Sequence, residues 1–158
     1  MKNKTNQLLA YIAQNHAPAT VTSLMKLSYL IDLVAITRIN RQISSFTYRR
    51  YNYGPFDKDI YEHLEQLVHD NVILEDHEYT PHADEYIVYK FNCANQEMTF
   101  GALSDNEKSI IGEVLSSLKG LGAKALSEIA YKTKPMKALK AKPDNDKGLN
   151  QVLDLRTA

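Results

Sequence analysis

One cysteine, five histidines and a short aromatic–basic run are what this 158-residue chain offers to chemistry. Cys93 follows an extended apolar stretch and has no histidine close in sequence to take its proton. A lone cysteine also excludes an internal disulfide framework and a cysteine-rich zinc site. The histidines are His16, His63, His69, His77 and His82. His63 and His69 stand six apart on one predicted helix, about 120° from each other round its axis, whereas helical ligand pairs need a spacing of three or four. His69, Asp70, Asp76, His77 and His82 would have to converge across a hairpin, so neither metal nor cofactor is expected. Asp57 and Asp59, two apart, point to different sides of a helix and make no acid–base couple. There is no G-x-S-x-G elbow, and Gly120-Leu-Gly122 lacks the trailing Gly-Lys-Ser/Thr of a phosphate loop. The expectation is a chain without catalytic residues and without enzymatic activity.

What remains is RRYNYGPFDKDIYEHL, from Arg49 to Leu64. Tyr48, Tyr51, Tyr53, Phe56 and Tyr61 gather there with Arg49 and Arg50, and Tyr and Arg are the types enriched at interface hot spots. The rings either close the core under the Gly54-Pro55 corner or face a partner. The expected division is Phe56 inward, with Tyr51 or Arg50 outward. Arg49, Arg50, Tyr51, Tyr53 and Phe56 are therefore the candidate partner-binding residues. Gly54 would permit the tight turn, and Pro55 would open the following helix without an unsatisfied N–H.

The elements that must position these residues follow from periodicity. Thr5 to Asn15 reads as a short helix ended by Pro18, and Thr20 or Thr22 caps the next, Ser23 to Asn40. That second helix is apolar nearly all round, which predicts a central, buried spine. Ser45 to Tyr51 sets Phe46, Tyr48 and Arg50 against Thr47, Arg49 and Tyr51, the alternation of an extended segment. Gly54-Pro55 is expected to break it, with a helix from Asp57 to His69. Val72–Glu75 and Glu85–Phe91 read as two antiparallel strands. Ser104-x-x-Glu107 is a capping box ahead of another helix, closed by Gly120 and Gly122, with a shorter helix over Ala123 to Tyr131. The predicted fold class is α+β: a single, mostly helical domain over residues 1–143, with a central buried helix and a small antiparallel hairpin. Residues 144–158 form a C-terminal tail, expected as a short helix.

Formal net charge is zero, so the molecule as a whole does not seek polyanions. Its charge is uneven: ten acids face Lys58 alone from Asp57 to Glu85, while Lys132 to Lys142 holds five lysines and no acid. A helix followed by a hairpin also describes a winged helix, but its recognition helix would carry Asp57, Asp59, Glu62 and Glu65 against phosphate. Neither a leader nor a membrane-spanning stretch is evident, and a cytoplasmic chain is expected.

Lys26, Leu27, Tyr29, Leu30 and Asp32 on the central helix, followed by Tyr53, Gly54, Pro55 and Phe56, resemble the Panacea domain, also called the SocA-like antitoxin domain. Leu103, Ser104 and Glu107, then Ala123, Ala125, Leu126 and Ser127, extend the resemblance over roughly residues 21–137. Where that family often has histidine and tryptophan, this chain has Tyr131 and Met136. The resemblance implies a type II antitoxin, often prophage-associated, that neutralises a toxin protein encoded by a neighbouring gene through direct binding. In it Lys26, Tyr29, Asp32, Gly54 and Pro55 are motif positions. The alternatives are a proteolytic adaptor, with a protease as partner, or a winged-helix-like regulator bound to operator DNA.

Overall fold

The computed structural model describes residues 3–95 and 100–157. Helix α1 (Lys4–Asn15) leads into α2 (Val21–Ile39), then a short hairpin of β1 (Arg49–Tyr51) and β2 (Gly54–Phe56). Helix α3 (Ile60–His69) precedes a second hairpin, β3 (Ile73–Tyr79) and β4 (Glu85–Phe91), and α4 (Asp105–Ser117), α5 (Ala123–Tyr131) and α6 (Lys134–Ala138) follow. This is the α+β, mostly helical architecture expected.

Helix α2 is the spine. It packs against α1, α3, α4, α5 and β2, and the ten consecutive positions from Ser23 to Asp32 are all buried, as is Ala35: Leu24, Met25, Leu27, Tyr29 and Ile31 lose all contact with solvent. Its start is set by Thr20, whose hydroxyl accepts from the Ser23 N–H while the Ser23 hydroxyl accepts from the Thr20 N–H. Ser104 and Glu107 form the same reciprocal cap on α4, and Lys4 of α1 donates to the buried Glu107 carboxylate at 2.8 Å. Ser28, also on α2, is buried with its hydroxyl unpartnered. Ser28→Ala is expected to raise stability by about 1 kcal/mol in a urea melt, because it removes a desolvated donor that gains nothing.

Four expectations need correction. The segment before the Gly-Pro corner is a strand only from Arg49, and Gly54-Pro55 does not end it but forms its partner, with Arg50 opposite Pro55. Pro55 therefore does not open a helix. Residues 57–59 make a turn in which the Asp57 carboxylate accepts from the N–H groups of Thr47 (2.8 Å) and Asp59 (2.9 Å), so α3 begins at Ile60 rather than Asp57. Strand β3 runs on through the polar stretch to Tyr79, since its cross-strand bonds to β4 do not depend on apolar side chains. Among its described residues, 144–157, the tail holds no helix. It runs beside β1, with Arg50 N–H donating to Gln151 O (2.9 Å) and Leu153 N–H donating to Tyr48 O (2.8 Å), and it buries Leu153. The tail thus covers the free edge of β1, an edge that would otherwise expose unpaired backbone groups.

Candidate functional site

Three positions of α2 each hold a different distant segment. Lys26 is buried and donates from Nζ to Pro55 O at 2.9 Å, with the Phe56 ring 5.8 Å away. Tyr29 shares a 2.7 Å hydrogen bond with the Thr133 hydroxyl ahead of α6, and burial pushes its phenol up to about 12. Asp32 is fully buried and accepts from Ile43 N–H (2.8 Å), Ser44 N–H (3.1 Å), the Ser44 hydroxyl (2.5 Å) and the Tyr48 hydroxyl (2.7 Å). Burial pushes the Asp32 carboxyl up from the ordinary carboxylate range, and the donated hydrogen bonds pull it back. The motif residues are thus internal fastenings. None is available to a ligand.

Burial lowers the Lys26 ammonium from 10.5 to about 8, since desolvation disfavours the charged form. Between those two values the unfolded chain binds more protons than the folded one, so stability rises with pH across that window. The gain from pH 8 to pH 10 is expected to be on the order of 2 kcal/mol. Above about 10 the raised phenol of Tyr29 reverses the slope, since unfolded tyrosine ionises first. Urea melts at stepped pH check this: Lys26→Met should lose the rise and keep the fall.

Gly54 lies against this lysine. Its φ is +109°, a conformation that side chains avoid, and a Cβ there would stand 3.3 Å from Lys26 Cε. The close approach lets Lys26 reach the Pro55 carbonyl, which makes the Gly-Pro pair and Lys26 one unit.

The five candidate partner residues divide differently from expectation. Arg50, one of the two residues expected to face outward, is 1% exposed. Its Nη2 donates to Lys142 O and Asn145 O, both at 2.8 Å, and its guanidinium lies 5.5 Å from the centre of the Tyr131 ring. The signal was present in the sequence: the alternation that buries Phe46 and Tyr48 buries Arg50 with them. Residue type pointed outward, and period pointed inward. Tyr51 and Phe56 are half-buried and pack edge to face, 5.6 Å between centroids. Arg49 is exposed and donates to Asn150 O at 3.1 Å. Tyr53 is 76% exposed at the hairpin tip.

Tyr53 overlooks a groove that sequence reasoning missed. Two adjoining cavities of about 610 and 560 Å³ share Glu128, Tyr131 and Pro143. The hairpin tip walls one of them through Asn52 and Tyr53, and the tail loop walls the other through Lys142 and Asn145. Tyr131 joins the walls: its hydroxyl donates to Asn52 O at 2.8 Å, while its ring lies beside Arg50, which holds the tail loop. The lysine run read from the sequence is the only signal that could have found this groove. Among the described residues there is no cluster of His, Cys, Asp or Glu able to hold a metal, and Cys93 is exposed and unpaired with another cysteine. No described helix is long and apolar enough to cross a membrane.

Residues 24–135 match the protein-family model described as "Antitoxin SocA-like, Panacea domain". No curated protein and no solved structure matches the chain. The matched span contains all three fastening residues of α2, both strands of the first hairpin, and Thr133.

Proposed function

The chain belongs to the SocA-like Panacea antitoxin family, and from that premise we propose that it is the antitoxin of a type II pair, neutralising a toxin encoded by a neighbouring gene through direct binding. The observation that supports this reading is Tyr53, an exposed ring on a hairpin tip fixed from below. Lys26 grips one side of the tip at Pro55 O and Tyr131 grips the other at Asn52 O. A ring presented on a prefixed loop loses little conformational freedom on binding, which is what an interface anchor needs. Arg49 and the half-buried Tyr51 and Phe56 lie on the same hairpin and would form its flank. Arg50 would act from beneath, by holding the tail loop. The setting consistent with this reading is the bacterial cytoplasm, with the pair carried by a prophage.

The regulator reading draws no support from the geometry. Helix α3 and the β3–β4 hairpin would serve as recognition helix and wing, and both expose carboxylates, Glu62 and Glu65 on one and Glu75 and Glu85 on the other. Like charge against phosphate opposes that docking.

Co-expression with the neighbouring open reading frame tests the proposal. The expected result is a neighbour toxic by itself, growth restored by this chain, and a complex that co-purifies. A neighbour that is harmless alone and does not co-purify overturns it. A fall in toxin half-life, rather than a block of its activity, would mark a proteolytic adaptor instead. Within the complex, Tyr53→Ala is expected to weaken toxin binding at least about tenfold while leaving the melting transition in place, because an exposed ring contributes to the interface and not to the core. Titration calorimetry paired with a thermal melt reads both.

A further inference from the structure

The groove beneath Tyr53 has a charge pattern that the family reading does not use. Lys132, Lys137, Lys140, Lys142 and Lys147 border the first cavity and Lys124 the second. All six lysines are exposed, and none is ion-paired among the described residues. Glu128 is the one acid among the described residues lining either cavity. Asp144 and Asp146 belong to the same tail loop but do not line it. Between the lysines the wall is apolar: Tyr131, Ala141, Pro143 and Ala123. Lysines from α5, α6 and the tail loop are thus collected around one trough, although they are spread from residue 124 to residue 147.

We propose that this groove seats an acidic segment of the toxin, with carboxylates meeting the lysine rim and apolar side chains entering the Tyr131–Ala141–Pro143 trough. The proposal rests on the neutralisation reading above and specifies the partner's chemistry. Charge complementarity selects the occupant. A rim of unpaired ammonium groups is satisfied by carboxylates, and an apolar trough is filled by side chains that nucleic acid backbone does not have. Net charge is zero and ten acids lie between Asp57 and Glu85, so the positive field is local to the trough and does not extend along a phosphate track. The groove also adjoins Tyr53, so one partner segment would touch the hairpin tip and the lysine rim together.

The test uses the full chain and fluorescence anisotropy with three labelled probes: a short peptide alternating Glu with Leu and Phe, the same peptide with Lys for Glu, and a single-stranded oligothymidylate. The Glu peptide is expected to bind, to weaken steeply with added salt, and to lose about tenfold in affinity in the K132E/K140E double variant, since rim charges mainly set steering and salt dependence. The Lys peptide and the oligonucleotide should not bind. Both substituted lysines are exposed, and an unchanged thermal melt of the variant confirms its fold. No binding of the Glu peptide, or affinity unmoved by K132E/K140E, overturns the proposal. Tighter binding of the oligothymidylate overturns it in favour of nucleic acid. The same variant, tested with the co-purified toxin, separates this inference from the reading beneath it. Toxin bound with unchanged affinity removes the groove and leaves the antitoxin. A neighbour that proves harmless and unbound, while the Glu peptide still binds through the lysines, removes neutralisation and leaves an acid-binding groove.

Discussion

Asp32→Ala is expected to cost about 4–6 kcal/mol of folding stability, the largest effect of any single polar substitution in this chain. Four donors converge on this buried carboxylate: two backbone N–H groups from residues 43 and 44, and the hydroxyls of Ser44 and Tyr48. Removing the acceptor leaves the two backbone N–H groups unpaired and the Ser44 and Tyr48 hydroxyls with only each other to donate to, 3.4 Å apart, and an orphaned buried donor costs about 1–3 kcal/mol. The damage would spread, because the same contacts place the 43–48 segment, and Tyr48 packs edge-on against Tyr29 at 5.2 Å and against Phe46 at 5.8 Å. In a chain of this size each kcal/mol moves the melting point by roughly 2–4 °C, so a fall of at least about 8 °C is expected. Asp32→Asn keeps the shape but turns a donor toward donors, and should cost less than alanine while remaining destabilising. A thermal melt of Asp32→Ala within a degree or two of the parent would show that Asp32 is not the fastening its geometry describes.

Arg50→Met is expected to cost about 3–4 kcal/mol and to release the tail loop. Methionine retains much of the packing volume, so the loss isolates the guanidinium. The carbonyls of Lys142 and Asn145 lose their donor, and Tyr131 loses the cation beside its ring. The substitution removes one unpartnered atom as well, Arg50 Nε, which limits the cost. Two measurements check this: a urea melt, and digestion with trypsin, which should cut faster after Lys147 once its loop is free (Pro143 shields the bond after Lys142). Toxin affinity is expected to fall too, but only as a consequence of a loosened groove wall. If instead Arg50→Met kept its stability and its resistance to trypsin and lost only toxin binding, Arg50 would be a contact residue and not the support of one. The contrast with Tyr53→Ala separates the two roles, since that substitution should lose binding without losing stability.

Much of the fold could be read from short stretches of chain. The N-cap at Thr20, one of the two threonines expected there, the capping box at Ser104, the all-round apolar α2 and the pairing of β3 with β4 are each specified within a few residues, and each formed where its pattern placed it. Boundaries failed where a side chain reached back to compete for the backbone. Asp57 accepts from Thr47 and Asp59 and so delays α3 by three residues, which helical periodicity does not register. The tail failed for a related reason. Its weak amphipathy fits a short helix considered alone, but the open edge of β1 offers it backbone partners that an isolated segment lacks.

For the site, the sequence by itself determined which residue types were present and the family to which they point: Lys26, Tyr29 and Asp32 at fixed spacing, then the Gly54-Pro55 corner, and a hairpin rich in tyrosine and arginine. The tertiary structure decided what each one does. It turned Arg50 inward, left Tyr53 outside, and gathered lysines from two helices and a loop around Tyr131. The reason is physical. Periodicity and capping are set by neighbours a few residues away, whereas burial of a charge depends on whether distant carbonyls arrive to meet it. For Arg50 those carbonyls come from residues 142 and 145, and no pattern within RRYNYGPFDKDIYEHL contains them.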